Sequence, residues 1–318
     1  MRDAIARLRP ATLPALALSL SVLQLHTFSV PISAEPRDAF TLGVMRRDGA
    51  LIPFAVFDGK HWYNNWPPPA TDLVVPITRE SIPKRWWGDE PPSGDWQLWT
   101  PNGPAPVHVT QPDWVQAHCA RQVVLRTDYR SPERPPGPRE QPYPKDGLAV
   151  SPARKIEPIE IVNATGPLLP AEDLRKKFNS AELEVDRNFG HPISRKVREP
   201  VDPSIEAMYA FGDNPRAFYV ESSRLYRTMG DEGCTAIAFG TGWFVKEGVK
   251  VKWLDMAVDL LRCNKYGASY MLPLGAIRTG DRTFWVVQYS GWDHERYVVV
   301  EVKKNRVEAL ISAYGGGC

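Results

Sequence analysis

Few residues in this chain are grouped for chemistry, and most of those groups fail on spacing. Asp293-His294-Glu295 holds the ingredients of acid–base work. Adjacent residues rarely face one another, so the three cannot form a triad among themselves. Asp58 and His61, beside an Asp-Gly turn, are a second acid–imidazole combination. With His294 they are the groups a hydrolase would draw on. His118 precedes Cys119, yet a nucleophilic thiolate needs an aligned imidazole, which adjacency does not supply. The sequence contains no GxSxG, HExxH, GxxxxGK[ST] or helix-opening GxGxxG motif. It has neither CxxC nor a Cys/His cluster with zinc spacing, so no metal and no other cofactor is expected.

The aromatic residues are more informative. Seven of the eleven Trp fall at 62, 66, 86, 87, 96, 99 and 114, interleaved with Lys60, Asn64, Asn65, Arg85, Asp95 and Gln97. A flat indole beside an amide or carboxylate suits a sugar ring or an extended peptide, because the ring covers apolar surface while the polar group orients hydroxyls or amides. Trp62, Asn64, Trp66, Trp86, Trp87, Trp96 and Trp99 are therefore the candidate ligand-binding set. The competing use of these indoles is to fill gaps in a Pro-rich β domain. Trp86-Trp87 favours exposure, since neighbours on a strand point to opposite faces.

The elements that must position these residues are mostly strands. The 31 Pro among 318 residues argue against a helix-dominated fold. Asp48-Gly49 and Asp58-Gly59 separate extended runs at 41–47, 50–57 and 60–66, and Asn102-Gly103 marks a further turn. Residues 130–170 carry ten Pro in 131–170 and read as a solvated linker or strap. At 170–189, Pro170, Glu172 and Asp173 suit a helix start, with Leu174 and Phe178 one turn apart. From 204 onward strands alternate again, with Trp285 and Val287 on one face and Phe284 and Val286 on the other. The segment 249–261 also suits an amphipathic helix, but the Gly248 turn favours a strand. The expected fold is mainly β: antiparallel meanders forming two packed β units, as a sandwich, barrel or small propeller, with one short helix near 171–188. The units are 35–129 and 204–318, joined by the linker and by a helix and connector at 171–203.

The N-terminus sets the compartment. Arg2, Arg7 and Arg9 precede an uncharged run at 11–25, and Ala34 offers a cut site, which is the layout of a cleaved export signal over 1–34. A retained anchor is the alternative. Fifteen helical residues span only about 22 Å against an apolar bilayer core of roughly 30 Å. Removing three Arg and one Asp from 39 bases and 37 acids leaves 36 of each. A neutral chain has no electrostatic preference for nucleic acid or an anionic membrane. Four Cys in an exported chain suggest two disulfides. A hairpin about 248–249 places Cys234 opposite Cys263, leaving Cys119 for Cys318. The expectation is a secreted or periplasmic, non-catalytic β protein that binds a carbohydrate or an extended peptide or protein partner through the Trp-rich half, with no membrane span after signal removal. A hydrolase using Asp58, His61 or His294, and a structural or envelope-assembly module, are the alternatives.

Overall fold

The Gly residues at the hairpin turns supply the backbone freedom those turns need. Gly49 (φ 78°) and Gly103 (φ 106°) reverse the chain between antiparallel partners, in a region that favours residues lacking a Cβ. The computed structural model describes residues 38–70, 75–87, 94–133, 145–163, 168–227 and 233–318. The export-signal reading of 1–34 lies outside them, as does the densest Pro run at 134–144.

The first element group is β1 (Phe40–Arg46), β2 (Ala50–Phe57), β3 (Trp62–Tyr63), α1 (Lys84–Trp87), β4 (Asp95–Thr100), β5 (Gly103–Ala117), β6 (Ala120–Thr127) and β7 (Lys145–Ser151). Six strands run in the order β1-β7-β4-β5-β6-β2, and β2 pairs back onto β1, closing a barrel; β3 hangs on the side of β2. Met45, Leu51, Leu98, Val107, Val123 and Ala149, one from each strand, belong to a single buried cluster that fills it. The linker reading of 130–170 is corrected here. Leu148, Ala149 and Val150 of β7 are fully buried, and β7 sits between β1 and β4. The Pro-rich average concealed a short apolar run, and the barrel cannot close without it.

Next come β8 (Glu160–Ile161), α2 (Ala171–Phe189), α3 (Arg195–Arg198), β9 (Ser204–Phe211), β10 (Arg216–Tyr226), β11 (Ala236–Glu247) and β12 (Lys250–Leu261). They make a five-stranded sheet in the order β12-β11-β10-β9-β8, backed by α2. The last group is a four-stranded meander, β13 (Tyr270–Thr279), β14 (Arg282–Ser290), β15 (His294–Val302) and β16 (Val307–Gly317). The C-terminal region 204–318 is thus two sheets.

Alternation along β14 and β15 explains how the layers stack. Phe284, Val286, Tyr297 and Val299 pack with Leu42, Ile52 and Phe54 on the outside of the barrel. Trp285, Val287, Val298 and Val300 pack with Phe211, Tyr219 and Trp243 of the five-stranded sheet. The meander is the middle layer, covered on both faces, which is why its strands are apolar at odd and even positions alike. On the far side, Leu174, Phe178 and Ala181 of α2 meet the five-stranded sheet. A Cβ at Gly240 would lie 2.5 Å from the Phe178 ring, so glycine there sets how closely the helix approaches.

Two polar networks are enclosed by these layers. Beneath α2, Glu182 is 1% exposed and accepts hydrogen bonds from Tyr226 Oη (2.6 Å) and Arg224 Nη1 (2.9 Å), with His191 Nε2 at 3.1 Å. Between the sheets, Glu221 is 1% exposed and accepts the Met271 backbone N–H at 2.6 Å. Burial pushes the Glu221 carboxyl from its usual 4.5 up to about 7, against that hydrogen bond. A raised acid favours the fold below its unfolded value, and the advantage is lost as pH rises through the folded one. Stability should therefore fall between pH 4.5 and about 7 on account of Glu221. Glu221→Gln should flatten that slope and be up to about 3 kcal/mol more stable than the parent at pH 8, read by urea titrations across pH. An unchanged slope would mean the carboxyl is solvated.

Two disulfides fasten the fold. Cys234–Cys263 (Cα–Cα 5.8 Å) joins the ends of the β11–β12 hairpin, whose register pairs Ile237 with Leu261. Cys119–Cys318 (Cα–Cα 5.0 Å) joins the β5–β6 turn to the residue after β16.

Candidate binding cleft

The cleft begins with a turn. Asn64 Oδ1 accepts the Trp66 backbone N–H at 2.8 Å, an Asx turn that leads the chain from β3 into Pro67-Pro68-Pro69. Trp66 is thereby directed onto the barrel, where its Nε1–H donates to the Val123 carbonyl at 3.0 Å. Opposite stands β16. Its partner on one side is β15, and among the described residues its other edge has no strand partner; the single bridge there is Gly317 to His118.

Between them lies a cavity of about 260 Å³ lined by Phe54, Asn64, Trp66, Pro67, Gln122 and Tyr314, with Pro53, Pro68, Ser312 and Ala313. Three consecutive β16 residues line it. Side chains of a strand alternate, so consecutive lining residues place the cavity along the strand's backbone edge rather than over one face. Tyr314 is 46% exposed. Gln122 is 2% exposed, and its Oε1 has no hydrogen-bond partner among the described residues. A buried acceptor without a donor is costly, and a bound donor would relieve it. The chemistry on offer is aromatic and Pro surface, an amide acceptor and the β16 edge at Ser312–Tyr314.

Of the seven candidate residues, Asn64 and Trp66 meet here, and Trp62, Trp86, Trp96 and Trp99 are spent elsewhere. Trp62 packs within 5.4 Å of the Phe40, Phe57 and Phe284 rings between barrel and meander. Trp99 joins the same core and donates to the Arg154 carbonyl at 3.1 Å. Trp96 is 2% exposed, inside the barrel. Trp86 packs against Trp66 at 5.9 Å. The Trp87 side chain lies outside those described. The described indoles do not form one continuous face. Sequence reasoning missed Gln122 and Tyr314. Neither residue's own stretch of chain signals the cleft.

The acid–base candidates are accounted for by local structure. Asp58 accepts the backbone N–H groups of Lys60 (2.8 Å) and His61 (2.6 Å), and these bonds hold its carboxyl below the usual range. It caps its own turn. His294 Nδ1 meets Asp293 Oδ1 at 2.8 Å. Glu295 turns into the core instead, where Lys145 Nζ donates to both its oxygens at 3.0 Å. A larger cavity of about 470 Å³ at the β9–β10, β13–β14 and β15–β16 turns holds Asp213, Asp281 and Glu301. Burial pushes the Glu301 carboxyl up, but Arg282 (2.8 Å) and Lys303 (2.9 Å) outweigh it and hold the pKa below the usual range. A carboxylate fixed in that way is a poor proton donor. Among the described residues no group of three or more His, Cys, Asp or Glu could hold a metal ion, and no helix is long and apolar enough to cross a membrane.

Comparison with protein-family models, curated proteins and solved structures finds no match for this chain.

Proposed function

We propose that this chain is an exported, non-catalytic β protein that holds an extended polypeptide segment of a partner in the cleft between β16 and residues 64–68. The observation that carries the reading is the unpaired β16 edge beside aromatic and Pro surface. An added strand would satisfy that edge through its own backbone, an apolar or Pro side chain would rest on Trp66 and Tyr314, and a peptide N–H would reach Gln122 Oε1. A peptide suits this edge better than a sugar does, because the exposed groups repeat along a strand. Two disulfides support export, and the balanced charge argues against nucleic acid as the partner.

Selection from a displayed library of random linear peptides, followed by calorimetry on the selected peptides, tests this. Tyr314→Ala, at an exposed position, should weaken a selected peptide about tenfold or more, and Gln122→Leu should weaken it too. Failure to select any peptide would overturn the reading. So would an oligosaccharide whose binding Tyr314→Ala removes.

A further inference from the structure

Two aromatic side chains stand in the open on loops built to hold them still. Trp292, in the β14–β15 turn, is 63% exposed, and Tyr266, in the loop before β13, is 56% exposed. Their rings stack at 5.1 Å with planes 20° apart.

Each loop is braced independently of any ligand. Cys263, three residues before Tyr266, is bonded to Cys234. Asn264 Oδ1 accepts the Tyr266 backbone N–H at 3.2 Å. Lys265 adopts φ 56°, unusual for a residue with a side chain, and its ammonium is tied to Glu206. The Lys265 N–H donates to the Arg262 carbonyl and the Ala268 N–H to the Lys265 carbonyl, both at 2.9 Å. In the other loop the Gly291 N–H donates to the His294 carbonyl and the Cys318 N–H to the Asp293 carbonyl, again at 2.9 Å. Aromatic rings held in place bind without a large ordering cost, and each ring of this pair is more than half exposed.

The surroundings decide what class of ligand fits. The residues flanking the two rings are Asn264, Lys265, Gly267, Gly291 and Asp293. These chain neighbours are polar or lack a side chain, which suits a polar ligand better than an apolar protein interface. A sugar ring needs an aromatic surface for its C–H face and polar groups of both kinds for its hydroxyls, and both are adjacent here. Lys265 and Asp293 carry opposite charges, which favours no net charge on the ligand.

We propose that Tyr266 and Trp292, neither of which lines the β16 cleft, form a carbohydrate-binding platform for a pyranose ring of a neutral oligosaccharide. Soluble cello-, chito-, malto- and xylo-oligosaccharides are the probes, titrated against the disulfide-intact protein by intrinsic fluorescence and calorimetry. At least one series should bind saturably. Trp292→Ala should weaken it about tenfold or more, whereas Trp292→Phe should stay within a few fold, since the aromatic face is kept. Tyr266→Ala, which removes the other ring, should weaken it in the same way. Both positions are exposed, and near-ultraviolet circular dichroism confirms that each variant is folded. No saturable binding up to about 10 mM, a concentration that reaches even weak single-ring sites, would overturn the proposal. Undiminished binding by Trp292→Ala would do the same, as would a Trp292→Ala variant that loses self-association in size-exclusion chromatography rather than sugar affinity.

Discussion

Replacing Cys119 and Cys318 together by Ser should lower stability by about 5 kcal/mol, more than any other single constraint in the fold. The two residues are 199 apart, and a bond closing so long a loop removes much of the unfolded chain's freedom. The bond also holds the end of β16 on the β5–β6 turn, where Gly316 approaches so closely that a Cβ would lie 2.8 Å from Ala117. Replacing Cys234 and Cys263, which are 29 apart, should cost less, about 3.5 kcal/mol on the same reasoning. Guanidinium titrations of the two paired variants check both the size and the order. If the short loop proved the costlier to open, unfolded-state entropy would not be the main source of the effect. Pairwise replacement matters because a single Ser would leave a reactive thiol behind.

Glu182→Ala should destabilise the chain by about 3–5 kcal/mol, the range for removing one partner from a buried ion pair. Among the described residues the carboxylate is the only acid that Arg224 meets, and both side chains are sealed from water. Arg224 also lies 4.5 Å above the Phe178 ring, so freeing its charge disturbs the main apolar anchor of the helix. Arg198 retains Asp186 and the Ile193 carbonyl, so the loss should concentrate on β10 and α2 rather than spread through α3. Amide hydrogen exchange should show α2 losing protection before the barrel does. The double variant Glu182→Leu with Arg224→Met should cost less than Glu182→Ala alone, because no uncompensated charge remains. A strictly additive outcome would show that the pair is not coupled.

Local signals in the sequence carried over well, and non-local ones did not. The turn glycines, the helix start at Pro170 and the two-sided alternation of 283–290 depend on residues close in the chain, and each appears in the structure as an element or face. The hairpin about Gly248 likewise brings Cys234 and Cys263 together, since register within a hairpin is set by its turn. Barrel closure by β7 was hidden because a seven-residue strand was averaged into a Pro-rich stretch. The cleft was only half visible. Asn64 and Trp66 stand out by type, but Gln122 and Tyr314 reach it from strands far along the chain. Nothing in their own neighbourhoods says they share a wall. The Trp residues illustrate a different limit. The same indole-and-amide pattern serves packing or binding, and burial decides between them, as it does for Trp96 inside the barrel against Trp292 outside.

The two covalent bridges are nested, one pair lying wholly between the members of the other. A polypeptide delivered amino end first to an oxidising enzyme presents Cys119, then Cys234, then Cys263, and Cys318 last of all. Joining thiols in order of arrival would give a side-by-side pattern of neighbours, 119 with 234 and 263 with 318, in place of the nested pairs of the fold. Correct maturation therefore requires either that the β11–β12 ribbon forms before the first sulfur is oxidised or that an isomerase reshuffles the bonds afterwards. Where oxidation outpaces the ribbon, yield in a host should depend on that catalyst more than on the supply of oxidant.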